Sequence, residues 1–159
     1  MHPELQTVAN YYALGPIFIQ GLVGDFTDAD WRVTDPAGHD PRWIMGHLAT
    51  YRRRAAGMLG APQPAAAWEE HFVRGTSAAD LPADLDPREL VAAFQAAHEA
   101  MLGRWDLVSR EELAKPLGRT LPDGTSTVGD AVRFMAYHEA YHLGQLGLLR
   151  RIAGKPGRA

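Results

Sequence analysis

Apolar residues recur every three or four positions in four stretches of the chain, the spacing of a helix that buries one face. In the first, about residues 4–26, Leu5, Val8, Tyr12, Ile19, Leu22 and Phe26 fall on one side. Pro16 lies inside it, where it removes a backbone donor and crowds the carbonyl four residues back, so a kink is expected there. The second opens with Asp40 as N-cap and Pro41 at the first helical position, and closes at Gly60 ahead of Pro62. The third opens with the capping box Asp86-Pro87-Arg88-Glu89 and runs to about Val108. The fourth is capped by Thr127, with Asp130 three residues later, and stops at Gly154 before Pro156.

The connections are as informative as the helices. Residues 61–85 are rich in Ala and Pro but include Trp68 and Phe72, which predicts a packed crossover with a short helical piece. Residues 109–114, with Ser109 and Glu112 as a capping pair, read as one more helical turn. Residues 117–126 carry the turn signal Pro122-Asp123-Gly124 and read as a loop or small hairpin. No period-two run is long enough for a sheet, so the expected fold is all-α: a four-helix bundle, one domain over residues 1–159.

Two of the four stripes contain residues that do not belong in an apolar face. On the fourth helix, Val128, Ala131, Met135, His138, His142, Leu146 and Leu149 step by three or four, and two of them are histidines. On the second, Ile44, His47, Leu48, Tyr51, Ala55 and Met58 form the stripe, again with a histidine in it. An imidazole facing a core needs partners for both nitrogens, because an unsatisfied buried polar group costs about 1–3 kcal/mol. Two histidines four apart point at one spot, and a single metal ion satisfies both. Three nitrogen ligands from two neighbouring helices suit zinc, nickel, iron or copper, and leave positions open for water or substrate. His47, His138 and His142 are therefore the candidate metal ligands. His98, beside Phe94, Ala97 and Met101 on the third helix, is the spare candidate. His2 sits near the terminus, His39 in a loop and His71 in the crossover.

His138-Glu139-Ala140-Tyr141-His142 also matches H-E-x-x-H, the zinc-peptidase helix in which the glutamate is the general base. Such enzymes take the third ligand downstream, and no His, Asp or Glu follows His142. The extended form needs glycine at 145 and histidine at 148, where this chain has Gln145 and Leu148. The peptidase reading fails on these positions, and the third ligand has to come from upstream.

Composition narrows the classes further. The chain has no cysteine, which removes disulfides, thiolate metal sites and cysteine nucleophiles. A formal charge of −3 argues against non-specific nucleic-acid binding. The longest apolar stretch, residues 17–23, is broken by Gln20 and Gly21 and cannot span a membrane. No basic start and apolar run open the chain, so a cytoplasmic protein is expected. The basic run Arg52-Arg53-Arg54 reads first as a solvated helix face, and secondly as an anion or partner contact. Trp43, Trp68 and Trp105 read as core or dimer packing.

The segment Trp43-Ile44-Met45-Gly46-His47-Leu48, together with His138-Glu139-Ala140-Tyr141-His142-Leu143-Gly144-Gln145, resembles the DinB/YfiT-like metalloenzyme family over nearly the whole chain. The resemblance implies a four-helix bundle with a long second crossover, a three-histidine site for one divalent transition metal (zinc or nickel), and frequent homodimers. His47, His138 and His142 match its ligand positions one for one. The family usually has a basic residue where this chain has Leu143. Some members resemble transferases that join a low-molecular-weight thiol, of the bacillithiol or mycothiol type, to small electrophiles; others resemble hydrolases or a thiol-dependent isomerase. The expected function is a metal-dependent enzyme on a small-molecule substrate, a thiol S-transferase first and a hydrolase as the alternative. A non-catalytic metal-stabilised module and a metal-free bundle are the competing classes. Glu139 is the candidate catalytic base, or simply an exposed helix residue; Gln145 and Tyr51 are one turn from His142 and His47 and within reach of the pocket.

Overall fold

The computed structural model describes residues 3–158; His2, one of the histidines weighed above, lies outside them. Four long helices carry the fold: α1 (Pro3–Val23), α2 (Pro41–Met58), α3 (Pro87–Leu102) and, after the short α4 (Arg110–Ala114), α5 (Val128–Ile152). The N-caps read from the sequence are in place, though Asp86 caps through the Arg88 amide and not through a reciprocal box with Glu89. Asp40 accepts from the Trp43 amide, Asp86 from the Arg88 amide, Ser109 from Glu112 and Thr127 from Asp130. Each satisfies an amide that a helix start leaves without a partner.

Two ends differ from expectation. The first helix stops at Val23, with Phe26 buried beyond a turn at Gly24. The third stops at Leu102, not near Val108, because the chain turns at Gly103. Arg104 then sends its Nε to the Leu59 carbonyl at 2.8 Å, serving the end of α2, and Trp105 is buried in the core. The crossover contains two 3-10 turns, Ala67–Phe72 and Ala78–Asp80. Residues 117–126 form a small hairpin-like loop, tied by a Pro116–Thr127 bridge and a 2.7 Å bond from the Leu117 amide to the Ser126 carbonyl. Among the described residues there is no other β pairing, and no helix is long and apolar enough to cross a membrane.

α2 packs against α3 and α5, and α1 against the same two helices, so α1 and α2 face each other across the diagonal, as do α3 and α5. The core divides into two apolar halves. One gathers Ile19, Leu22, Ile44, Leu48, Phe94 and Leu146. The other gathers Leu5, Val8, Tyr12, Ala55, Met101 and Met135. Between the halves, each long helix contributes a residue without a large apolar side chain: Gly15, Arg52, His98 and Glu139. This waist, and the histidines beside it, hold most of the buried polarity of the bundle.

Candidate metal centre

α2 and α5 are neighbours, so their inward histidines meet. The Nε2 atom of His138 lies 3.2 Å from Nε2 of His47 and 3.0 Å from Nε2 of His142. All three ligand atoms fall within 4.8 Å of one another. Nitrogens bound tetrahedrally at about 2.0–2.1 Å from one ion sit roughly 3.4 Å apart, so the spacing fits a single transition metal with small adjustment.

The opposite face of each ring decides what these Nε2 atoms can do. His47 Nδ1 is 2.7 Å from the Phe72 carbonyl, which can only accept, so the ring carries its proton there and turns an Nε2 lone pair inward. His142 Nδ1 is 2.6 Å from Gln145 Oε1 and is fixed in the same way. Two lone pairs therefore face the Nε2 of His138. A proton on that atom serves only one of them well, and the Nδ1 of His138 is buried with no partner among the described residues. A cation serves all three lone pairs at once, and the Nδ1 atoms bonded to carbonyl groups are the outer contacts that metal-binding histidines use. Burial pushes His47 down to about 4 and His142 to about 3, with the neighbouring imidazoles adding to both; burial lowers His138 as well. The neutral imidazole is the form that binds a metal.

The Phe72 carbonyl reaches His47 because the crossover docks tightly on α2. A side chain at Gly46 would meet the Phe72 ring at 2.3 Å, so only glycine lets the ring lie against the helix here. Trp43 stacks on the His47 ring from the other side (4.7 Å between centroids, 20° between planes), and the Tyr51 ring is 4.5 Å from His47 and 4.8 Å from His138. A cleft of about 330 Å³ opens on His47 and His138, with Tyr51, Leu121, Phe134 and Met135 in its walls.

Glu139 is neither exposed nor turned to the triad chemistry. Its carboxylate accepts from Arg52 on both oxygens, Nε to Oε2 at 2.9 Å and Nη2 to Oε1 at 2.6 Å. Burial raises the Glu139 carboxyl, and the guanidinium pulls in the opposite direction. Arg52 is itself buried, which departs from the solvated face that the triple-arginine run suggests. Its remaining donors go to the Tyr12 carbonyl, from both Nη atoms at 3.1 Å, and to His98 Nδ1 at 2.9 Å. All five N–H groups are used. The Tyr12 carbonyl is free to accept because Pro16, four residues on, has no amide to give it. Gly15 makes the room, since a Cβ there would lie 2.3 Å from Arg52 Nη2 and 2.4 Å from Glu139 Oε1. One side chain from α2 thus ties together α1, α3 and α5.

The other histidines among the described residues stand apart from the triad. His98 is held by Arg52, His39 pairs with Asp35 at 3.0 Å, and His71 lies 4.0 Å from the exposed Glu70. Sequence reasoning missed the Phe72 carbonyl and the Arg52 network. The signal for the second was present in Gly15-Pro16, a small residue and a missing amide on the inner side of an otherwise apolar helix.

Among curated proteins the chain finds no match. Among solved structures it is similar to YfiT from Bacillus subtilis, described as a probable metal-dependent hydrolase with an unusual four-helix bundle topology. The TM-score is 0.66 at 17% identity, over 94% of this chain and 87% of that one. At that identity the likeness speaks for the fold. The model of the DinB superfamily matches residues 19–146, well over half the chain and all three triad histidines. This protein belongs to the DinB superfamily.

Proposed function

We propose that this protein is a metal-dependent enzyme, with hydrolysis of a small-molecule substrate as its reaction. The observation that carries the reading is the convergence of three Nε2 lone pairs, two of them from His47 and His138 in the wall of an open cleft. His47, His138 and His142 would hold the ion, and its open positions would supply Lewis-acid activation of a nucleophile from solution. The residues around it have separate tasks. The Phe72 carbonyl and Gln145 keep two of the rings in the ligating tautomer. Trp43 and Tyr51 pin the His47 ring between them. Leu121, Phe134 and Met135 give the cleft an apolar wall against which a substrate can exclude water. The solved neighbour described as a probable metal-dependent hydrolase fits the same reading.

A second reading keeps the site and exchanges water for a low-molecular-weight thiol. It is favoured by the apolar wall, which suits an apolar electrophile, and by a chain with no cysteine, which leaves the thiol to a cosubstrate.

The test begins with metal content by elemental mass spectrometry on protein purified without a metal-affinity tag. About one zinc or nickel per chain is expected, lost in His47→Ala and His142→Ala. Loaded protein is then offered ester and amide panels, with and without thiol plus electrophile. Acid release without thiol supports hydrolysis, and thiol consumption supports transfer. Absence of metal even after incubation with zinc and nickel overturns the site; bound metal with no turnover in either arm leaves the ion a structural role.

A further inference from the structure

Besides its apolar wall, the cleft at the triad is lined by two arginines, Arg74 from the crossover and Arg119 from the loop before α5. Six of the fourteen arginines of this chain pair with carboxylates: Arg42 with Asp40, Arg52 with Glu139, Arg53 with Glu69, Arg88 with Asp28, Arg133 with Asp130 and Arg150 with Asp25. Arg74 and Arg119 have no hydrogen-bond or ion-pair partner among the described residues, and no aspartate or glutamate lines the cleft. Arg54 adds a third positive charge nearby, over the Tyr51 ring at 4.9 Å. In a chain of net charge −3, unpaired positive charge gathered at one concave site is a local inversion of sign. Hollows of about 390 Å³ elsewhere on the bundle contain none of the triad histidines.

We propose that this cleft selects a small amphiphilic anion, its carboxylate or phosphoryl group received by Arg74 and Arg119 and its apolar part lying on Leu121 and Phe134. This rests on the reading of the triad as the reactive centre. Two guanidinium groups brought to one cleft repel each other, and an oxyanion relieves that repulsion while accepting charge-assisted hydrogen bonds from planar forks that match its geometry. The volume, about 330 Å³, is at the small end of ligand pockets and suits a molecule with one ring or a short chain. The same charge would steer the anion towards the cleft and make capture salt-dependent. Arg74 and Arg119 are thereby specificity-determining residues rather than catalytic ones.

Calorimetric titration of the zinc-loaded full chain with 3-phenylpropionate, phenyl phosphate and the neutral 3-phenylpropionamide tests this. At least one anion is expected to bind about tenfold or more tightly than the amide, and the tighter anion identifies the group the arginines receive. Arg74→Gln with Arg119→Gln should abolish the difference, with zinc content and melting temperature unchanged. The proposal is overturned if neither anion binds more tightly than the amide. It is equally overturned if the preference survives in the double variant, since the anion would then be sitting on the metal alone. Zinc content reports the fate of the triad reading separately, and the same titration of His47→Ala shows whether the anion site stands without the ion.

Discussion

Two polar clusters interrupt the same apolar bundle within one turn of each other on α5, and they are opposites. Around Arg52 every donor has an acceptor: five N–H groups meet a bidentate carboxylate, a backbone carbonyl that Pro16 leaves free, and a neutral imidazole. Around His138 the accounts stay open, with two lone pairs aimed at one nitrogen and a buried Nδ1 without partner. Buried polar groups destabilise a fold unless they are satisfied. The closed cluster is complete without any addition and reads as architecture. The open one has the donor set that a single cation would complete. His138 and Glu139 are adjacent in sequence, yet about 100° of helix rotation sends one to the histidine triad and the other to the Arg52 network.

The largest effect should come from breaking the closed cluster. Arg52→Ala leaves a buried carboxylate alone, which costs about 3–5 kcal/mol in urea unfolding. The pair Arg52→Leu and Glu139→Leu, having no orphaned charge, should recover most of that loss. A single variant within about 1 kcal/mol of wild type would show that the network is dispensable and would dissolve the contrast.

The open cluster should respond to metal where the closed one does not. At zinc a hundredfold above its dissociation constant, a site present only in the folded state adds about 2.7 kcal/mol. Thermal melting with zinc and with a chelator should show that gain in the wild type and in the Leu pair. His47→Ala and His142→Ala should show none. A zinc response that persists in both histidine variants would place the ion elsewhere.

The smallest change touches neither cluster's charge. Gln145→Leu removes the group that fixes the His142 tautomer and should weaken zinc binding by about tenfold or more, read by competition with a chromophoric chelator. Melting of the metal-free protein should hardly move. Unchanged affinity would mean that packing alone aims the ring.

The open cluster was legible in the sequence because histidines occupying slots of an apolar stripe announce themselves by position. The helices were legible through their caps for the same reason: Asp40, Asp86, Ser109 and Thr127 act over two or three residues. The closed cluster was hidden because Arg52 sits inside a run of three arginines, where charge suggests solvent. Its four contributors come from four helices with no local spacing to link them. Pro16 was read as a bend, whereas its consequence is an acceptor for a guanidinium 36 positions further along. The C-terminal part of the third predicted helix failed because Gly103 ends it and Trp105 is buried from a turn rather than a helix face.

The anchor of His47 has a further meaning for how this chain tolerates change. It is a main-chain oxygen, so no replacement at Phe72 deletes it; the carbonyl travels with the backbone of the crossover. Substitutions reach it only indirectly, as a side chain at Gly46 would by displacing the ring. Insertions and deletions between Leu59 and Asp86 reach it at once, by shifting which carbonyl arrives. The identity of the candidate ligands and the aim of His47 are therefore inherited separately in this molecule, one through three codons and the other through the length of a connection.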